Sequence, residues 1–364
     1  MNVTYHSFLP HLGYGIAAKG YVELMRQTGS TKVNQKAYDF NSGIEQTGPP
    51  DFEGEADVNF IHLTPNYTQK VYAPKQINLL NTVFESTEFP AEWRQEVEKV
   101  DRIAVPCTWN QRVFEEVLQR DIYLLPHTSQ FEGRIPSPSS ILSTVPADTF
   151  VFLTVATWEL RKNIEGLLDA FCSAFSAKDN VLLVLKTSQN NLTAQHKHWW
   201  GRRYLETTTN SLAKILRKKK NPPRIQLISS VLNDHDMQNL YNRCNAYVTL
   251  THGEGWGLGC YEAAWFGKPV IATGFGGYLD FLTPDTAYLL PYTLIPYKRN
   301  FWDADDRVNH QYAQPDRDTA IECMRLVYGD LSTANERGRQ LKSFVEKKFS
   351  KMVISHRLRM FLHS

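Results

Sequence analysis

Mainly apolar runs alternate with amphipathic helical patterns along the whole chain. One series of runs covers residues 3–5, 58–63, 77–83 and 122–125, and a second series begins at 150–155. Short apolar runs bounded by turn residues predict buried strands, and apolar residues three or four positions apart predict helices between them. Strands that alternate with helices favour parallel sheets covered by helices on both faces. The pattern therefore predicts two doubly wound, Rossmann-like α/β domains.

A segment rich in proline and serine, around residues 133–140, separates the two series. Such composition is typical of a linker. We therefore predict an N-terminal domain at residues 1–135, a linker at 136–148 and a C-terminal domain at 149–344.

Three further segments carry structural predictions. The polar stretch from Asn190 to Lys220 predicts a long helical insertion that ends in the basic run 217–220. Residues 13–15 predict a glycine loop between the first strand and the first helix. The tail from about Asp318 predicts helices with breaks near Gly329 and Gly338.

The most informative segment runs from Thr251 to Gly267, between predicted strands at 246–250 and 269–273. Glycines at positions 253, 255, 257 and 259 let the backbone approach a ligand closely. A helix that begins near Leu258 presents free N–H groups and a partial positive charge at the carboxyl end of a strand. This arrangement suits an anion such as a pyrophosphate.

Two carboxylates, Glu254 and Glu262, flank the start of that helix. Carboxylates accept hydrogen bonds from hydroxyl groups, and a ribose and a sugar both offer vicinal hydroxyls. One interpretation is that the pair brackets a single ligand. The alternative is that Glu254 caps the helix and Glu262 is a surface residue.

Cations occupy the first strand-to-helix turns of the second series. Arg161 and Lys162 precede an amphipathic helix, and Lys186 ends the next predicted strand. Cationic side chains beside a helix N-terminus favour bound phosphate. The alternative for Arg161 and Lys162 is a solvated pair of charges.

The spacing Glu-x7-Glu lies within Gly-Glu-Gly-Trp-Gly-Leu and is followed by Glu-Ala-Ala and Gly-Lys-Pro-Val-Ile-Ala. Here the chain resembles the retaining nucleotide-sugar glycosyltransferases of family 4, which have the GT-B fold. The resemblance implies two domains that face across a cleft, with a C-terminal helix at 345–364 packing back on the first domain. It also implies transfer with retention of anomeric configuration and without a bound metal.

The resemblance implies roles for individual residues. Catalytic roles fall to Glu254, Lys162, Arg161 and His62. Contacts with the donor nucleotide sugar fall to Gly13, Gly15, Lys186, Val231, Leu232, Gly255, Trp256, Gly257, Leu258 and Glu262. Contacts with the acceptor fall to His11, Tyr14, Glu85 and Asn110. In the family an arginine stands several residues before the lysine, near Thr157, where this chain has none, so Arg161 is expected to replace it.

Composition adds exclusions rather than a function. Forty basic and 38 acidic side chains in 364 residues give a net charge of +2, without the concentrated basic stripe of a nucleic-acid ligand. Neither a signal peptide nor a membrane span is expected, so at most a peripheral membrane contact is anticipated. Five scattered cysteines indicate reduced thiols and a cytoplasmic location.

The expected function is transfer of a sugar from a UDP- or GDP-linked donor to the hydroxyl of a glycan or lipid-linked acceptor, without a cofactor. Two alternatives stay open: a GT-B sugar-nucleotide epimerase and a non-catalytic nucleotide-sugar-binding subunit. A nicotinamide-dependent dehydrogenase is disfavoured, because the first glycine loop lacks Gly-x-Gly-x-x-Gly.

Overall fold

The computed structural model describes residues 1–9, 13–27, 29–40, 42–135, 139–197, 203–296 and 310–364. The chain divides into two compact units. Unit 1 contains Met1–Glu132 and Glu346–Ser364, and unit 2 contains Gly133–Val345. Residues 139–148, predicted as linker, therefore belong to unit 2. The donor and acceptor roles of the two domains stay predictions.

Unit 1 is built on a seven-stranded sheet with the strand order β3-β2-β1-β4-β5-β6-β7. Its elements up to residue 132 are β1 (Asn2–Phe8), α1 (Gly13–Gln27), β2 (Lys32–Asp39), β3 (Ile44–Thr47), β4 (Val58–His62), α2 (Thr68–Val71), β5 (Ile77–Asn81), α3 (Trp93–Val97), β6 (Arg102–Val105), α4 (Thr108–Leu118) and β7 (Ile122–Leu124). All neighbouring strands pair in parallel except β2 and β3, which are antiparallel.

Unit 2 is built on a six-stranded parallel sheet with the order β12-β9-β8-β13-β14-β15. Its elements are β8 (Phe150–Val155), α5 (Ile164–Ala174), β9 (Val181–Lys186), β10 (Asn190–Lys197), β11 (Arg203–Thr207), α6 (Thr208–Arg217), β12 (Arg224–Ile228), α7 (Asp234–Arg243), β13 (Ala246–Thr249), α8 (Leu258–Trp265), β14 (Val270–Thr273), β15 (Tyr288–Leu290), β16 (Tyr292–Pro296), β17 (Gln311–Pro315) and α9 (Arg317–Gly329).

Two helices complete the chain. The first, α10, spans Leu331–Phe349. Its residues up to Val345 belong to unit 2, and those from Glu346 belong to unit 1. The second, α11, spans Lys351–His363, and its buried Ile354, Leu358 and Phe361 contribute to unit 1. The ring of Phe361 lies 5.8 Å from that of Phe60 in β4.

The strand orders explain where ligands are expected. In unit 2, β8 is followed on one side by β9 and β12 and on the other by β13, β14 and β15. This is the order of a doubly wound sheet, whose switch point lies between β8 and β13. In unit 1 the corresponding switch point lies between β1 and β4. The prediction of two doubly wound, Rossmann-like α/β domains is confirmed.

The predicted helical insertion at 190–220 is wrong in its first half. Instead β10 and β11 form an antiparallel pair, and α6 begins only at Thr208. Asn191 explains part of the difference, because its side chain accepts from the backbone N–H of Thr193 (2.9 Å) and donates to Ser211 (2.9 Å). Bonds from asparagine to nearby backbone compete with helix formation.

Two glycine predictions also change. Gly13 and Gly15 lie in the first turn of α1 rather than in a loop. Gly338 lies inside α10 and does not break it. A Cβ at Gly338 would stand 2.3 Å from the carbonyl oxygen of Gly267, so glycine there permits α10 to approach the turn after α8. The glycine turn after β14 leads only into a short 3-10 helix, Gly277–Asp280.

Candidate functional site

Two loops meet at the switch point of the unit 2 sheet, one after β8 and one after β13. The backbone N–H of His252 donates to the carbonyl of Arg161 (2.7 Å), and the Thr251 hydroxyl donates to the same carbonyl (3.1 Å). Asn163, in the left-handed conformation with φ 50°, donates its amide to the carbonyl of Leu250 (2.9 Å). These bonds hold the predicted cationic turn against the predicted glycine-rich loop.

Lys162 and Glu254 form the centre of this site. The Lys162 ammonium donates to both carboxylate oxygens of Glu254, at 2.6 and 2.8 Å. Both side chains are largely buried, with 16% and 13% of their surface exposed. Burial acts to raise the pKa of the Glu254 carboxyl, but Lys162 and Arg161 outweigh it and lower that pKa. Glu254 is therefore an anion at neutral pH.

Arg161 adds a second cation to the same carboxylate. One guanidinium nitrogen lies 3.5 Å from Glu254 and donates to the carbonyl of Gly253 (2.7 Å). The other donates to Glu159 at 2.8 Å. Arg161, which the sequence predicted as a replacement for the family arginine, thus lies beside Lys162 and Glu254.

A third loop, after β14, fixes the backbone of Glu254. The N–H of Gly277 donates to the Glu254 carbonyl at 2.7 Å. Gly276 has φ 110°, and a Cβ there would lie 2.7 Å from the same carbonyl oxygen. Only glycine fits so close to another backbone with that φ. The main chain of Glu254 is therefore fixed by this loop.

The N-terminus of α8 lies next to this carboxylate in sequence. Gly257 caps the helix in the left-handed conformation (φ 77°, ψ 59°) and, having no side chain, provides no side-chain cap for the first N–H groups. Such N–H groups favour a bound anion. Gly259 allows α8 to pack against the sheet, because a Cβ there would stand 2.0 Å from the Tyr247 hydroxyl.

The other predicted donor residues differ in how accessible they are. Trp256 is 2% exposed and its ring packs against Tyr261 and Phe281, so its side chain is part of the core of unit 2. Glu262 lies in α8 and is 2% exposed, so the alternative of a surface residue is wrong for this position. Gly255 is buried, and Leu258 begins α8.

Lys186 and the loop before α7 lie at further carboxyl ends of the unit 2 sheet. Lys186 ends β9, its ammonium donates to the Thr187 carbonyl at 3.2 Å, and burial lowers its pKa. Val231 and Leu232 follow β12, and Val231 is 79% exposed. An exposed valine beside a strand end offers an apolar surface to a ligand.

His62 ends β4 as predicted, but it is completely buried. A hydrogen bond of 2.8 Å joins its Nδ1 to the Tyr5 hydroxyl, and its ring lies 5.9 Å from the buried ring of His127. Burial, and secondarily His127, lowers the pKa of His62 well below its usual value. The side chain is therefore a neutral imidazole without solvent access, which does not favour a direct catalytic role.

Two of the predicted acceptor residues in unit 1 make well-defined contacts. Tyr14 lies in the first turn of α1, and its hydroxyl oxygen is 3.2 Å from the hydroxyl oxygen of Thr82. Asn110 is buried, and its amide donates to the carbonyl of Phe84 (2.8 Å) and accepts from the Phe84 N–H (3.1 Å). Asn110 therefore holds the segment before Glu85 in place instead of facing a ligand.

The other site residues predicted in unit 1 are Glu85, Gly13, Gly15 and His11. Glu85 is partly buried after β5. Gly13 is exposed and Gly15 is buried at the start of α1. His11 lies outside the described residues.

The sequence reasoning did not identify three residues that shape the site. Asn163 joins the two loops, and Glu159 pairs with Arg161. Gly276 admits the backbone of Glu254. An asparagine directly after two cations is a usable signal, since asparagine tolerates the left-handed conformation better than most residues.

Metal binding has little support from acidic clusters. Two Asp-x-Asp triplets of the chain act at helix starts: Asp236 accepts from Asn233 in the first turn of α7, and Asp316 caps α9 by accepting from the Thr319 N–H. A third triplet, 303–305, lies outside the described residues. Over the described ranges, no three His, Cys, Asp or Glu side chains converge as metal ligands. The absence of a metal from the reaction stays a prediction.

Membrane contact is equally untested. Among the helices of the described residues, none is both long and apolar enough to span a bilayer.

Comparison with known proteins gives a partial family match and a full-length fold match. No curated protein sequence matches the chain. The structure of a sucrose-phosphate synthase from Thermosynechococcus elongatus matches with a TM-score of 0.70 and 13% identity, over 100% of this chain and 98% of that chain. HepE from Anabaena, in complex with UDP-glucose, matches with a TM-score of 0.69 and 11% identity, over 100% and 99%.

A third structure supports the same fold. A glycosyltransferase from Rickettsia africae ESF-5 matches with a TM-score of 0.66 and 13% identity, over 100% of this chain and 99% of that chain. At these identities the likeness concerns the fold, which is that of GT-B glycosyltransferase structures. Residues 143–292, which include Lys162, Glu254 and Glu262, match the family described as "Glycosyl transferases group 1".

Proposed function

We propose that this protein is a glycosyltransferase that moves a sugar from a nucleotide-sugar donor to an acceptor hydroxyl, with retention and without a metal. One observation carries the proposal. Within the segment that matches group 1 glycosyltransferases, Lys162, Arg161 and Glu254 converge at the switch point of a parallel sheet. Ligands of such sheets bind outside the carboxyl ends of the strands at that point.

The chemistry needs charge neutralisation as the bond between the sugar and the diphosphate breaks. Lys162, Arg161 and the N–H groups at the start of α8 supply positive charge, so the reaction would not require a metal ion. Glu254 is ionised and accepts hydrogen bonds from sugar hydroxyls. Glu262, buried in α8, is proposed to bind the ribose.

The first experiment follows transfer from UDP-glucose, the donor with which HepE was crystallised, and then from GDP-linked sugars. A panel of simple sugar acceptors and a lipid-linked acceptor is assayed with each donor, and the anomeric configuration of the product is read by NMR. Retention is expected. An inverted product would refute the retaining mechanism while leaving the transferase activity in place.

The second experiment tests the cation. Lys162→Met is expected to lower kcat/KM by about tenfold to a hundredfold, because a charge-assisted bond contributes about 1.5 to 3 kcal/mol. Glu165→Gln, an exposed change in the first turn of α5, is the matched control and should leave the rate unchanged. Full activity in Lys162→Met would refute the site.

The third experiment separates the alternatives. Activity should persist in EDTA, and loss of activity that Mn²⁺ or Mg²⁺ restores would refute the metal-independent mechanism. Exchange of the hydrogen at the sugar C2 with solvent, without transfer, would instead identify an epimerase. Donor binding without turnover of any kind would identify a binding subunit.

A further inference from the structure

The cation cluster of unit 2 is already neutralised by the protein itself. Arg161 and Lys162 carry two positive charges, and Glu159 and Glu254 carry two negative charges within 3.5 Å of them. A diphosphate that approached this cluster would meet no net positive charge from these four side chains. Binding of an anion therefore calls for one of the carboxylates to leave.

Hydrogen-bond donors lead to the same conclusion for Lys162. An ammonium group has three N–H donors. The two oxygens of Glu254 take two of them, at 2.6 and 2.8 Å. With Glu254 in place, Lys162 can offer a phosphate at most one short hydrogen bond.

A change in the Glu254 side chain would not require a change in its main chain. Its main chain is fixed by the bond from the Gly277 N–H to its carbonyl (2.7 Å). The Lys162 N–H donates to the carbonyl of Glu159 at 3.1 Å, which fixes the main chain of the lysine. Rotation of side chains is therefore enough to separate the pair.

We propose that the Glu254 carboxylate holds the place on Lys162 that the donor diphosphate takes. When the donor binds, the Glu254 side chain leaves Lys162 and accepts hydrogen bonds from the sugar hydroxyls instead. This inference rests on the proposed function. The donor brings a diphosphate that accepts hydrogen bonds from Lys162, and it brings sugar hydroxyls that donate hydrogen bonds to Glu254. A nucleoside diphosphate brings the phosphate but no transferable sugar, so Glu254 loses its bonds to Lys162 and gains none from sugar hydroxyls.

The exchange makes the site selective for the intact donor over the nucleoside diphosphate product. Removal of the Glu254 carboxylate should therefore improve binding of the product while it impairs turnover. A residue that merely helped to bind nucleotides would show the opposite sign.

Isothermal titration with inorganic pyrophosphate, UDP and UDP-glucose tests the exchange in the full chain. Glu254→Gln should bind pyrophosphate and UDP about tenfold more tightly than the wild type, because Lys162 is freed. The ratio of the Kd for UDP to the Kd for UDP-glucose should fall. Glu254→Ala is a second variant with the same expected gain, and circular dichroism checks that both are folded.

Two controls separate the exchange from a general effect of charge. Glu165→Gln removes an exposed carboxylate from the first turn of α5 and should change pyrophosphate binding less than twofold. In a Lys162→Met background, Glu254→Gln should give no gain, so the two substitutions are strongly coupled. Equal gains in Glu165→Gln or in the Lys162→Met background would overturn the inference.

The remaining outcomes distinguish the two proposals. If pyrophosphate binds to the wild type and Lys162→Met abolishes that binding, but Glu254→Gln gives no gain, the exchange is overturned and the proposed function stands. If none of the three ligands binds to the wild type or any variant, and GDP and GDP-linked sugars also fail to bind, both are overturned.

Discussion

Acid should destabilise unit 1 through two of its buried histidines, His62 and His127. Burial lowers the pKa of His127 to about 3 and that of His62 well below its usual value. Both side chains are at most 4% exposed, and the hydroxyls of Tyr5 and Tyr21 that contact them have raised pKa values through burial. His62 and His127 are therefore neutral imidazoles whose hydroxyl partners are also neutral.

The sign and size of the effect follow from proton linkage. The pKa of each histidine is lower in the folded state than in the unfolded state, where it is about 6.5. Above about pH 6.5 neither state binds the proton, and the full stability is present. As the pH falls below about 6.5 toward the folded-state pKa, only the unfolded state binds the proton, so stability is lost. Between pH 7.5 and pH 5, His127 alone should cost about 2 kcal/mol in the free energy of unfolding. His62 should add a loss of similar size, since its folded pKa is also far below 6.5.

Urea unfolding at pH 7.5 and 5, with hydrogen exchange of peptides from α1 and β4, measures this loss in unit 1. His127→Asn cannot take up a proton there and should lose about 2 kcal/mol less than the wild type over the same pH range. His356→Asn, an exposed change in α11, should behave as the wild type does. Equal pH dependence in His127→Asn and the wild type would refute the neutral buried histidine.

Two further predictions concern close packing in unit 2. Gly338→Ala should lower the free energy of unfolding in urea by about 1 to 3 kcal/mol, because the new methyl group would meet backbone atoms of Gly267. Gly329→Ala is the control. A Cβ there has nothing within 4 Å, so stability should change by less than about 1 kcal/mol. Similar values for both would contradict the close approach. Gly259→Ala and Tyr247→Phe should each lower the free energy of unfolding. The double variant should lose at least about 1 kcal/mol less than the sum of the two single losses, because it lacks the phenol oxygen that lies 2.0 Å from the new methyl group. Additive losses would contradict this packing.

The repeating order of strands and helices was predictable from the sequence because buried parallel strands are apolar on both faces. Lys162 and Glu254 were predictable as parts of one site for a related reason. Both follow strands at the carboxyl edge of one sheet, and adjacency of β8 and β13 brings their loops together. The direct ion pair between them was not predictable, since the sequence does not state which residues face each other.

The burial of two predicted site residues was not predictable, and the reason is physical. His62 and Asn110 lie at strand or helix ends, where the sequence does not reveal whether a side chain points to solvent or inward. Each side chain has an internal partner: the Tyr5 hydroxyl is bonded to Nδ1 of His62, and the Phe84 backbone is bonded to the amide of Asn110. The sequences of β10 and β11 have no apolar periodicity that marks them as strands, and Asn191 in β10 is bonded locally.

The divided course of unit 1 along the chain has a consequence for synthesis on the ribosome. Unit 2 is continuous from Gly133 to Val345, whereas unit 1 lacks α11 until the residues after unit 2 have been made. Until then, the surfaces of Phe60 and Tyr123 that pack against Phe361 stay open to water or to a chaperone. Domains usually complete their folding in the order of the chain. Here we expect the later unit to finish first, with the earlier one held as an incomplete sheet until the last helix emerges.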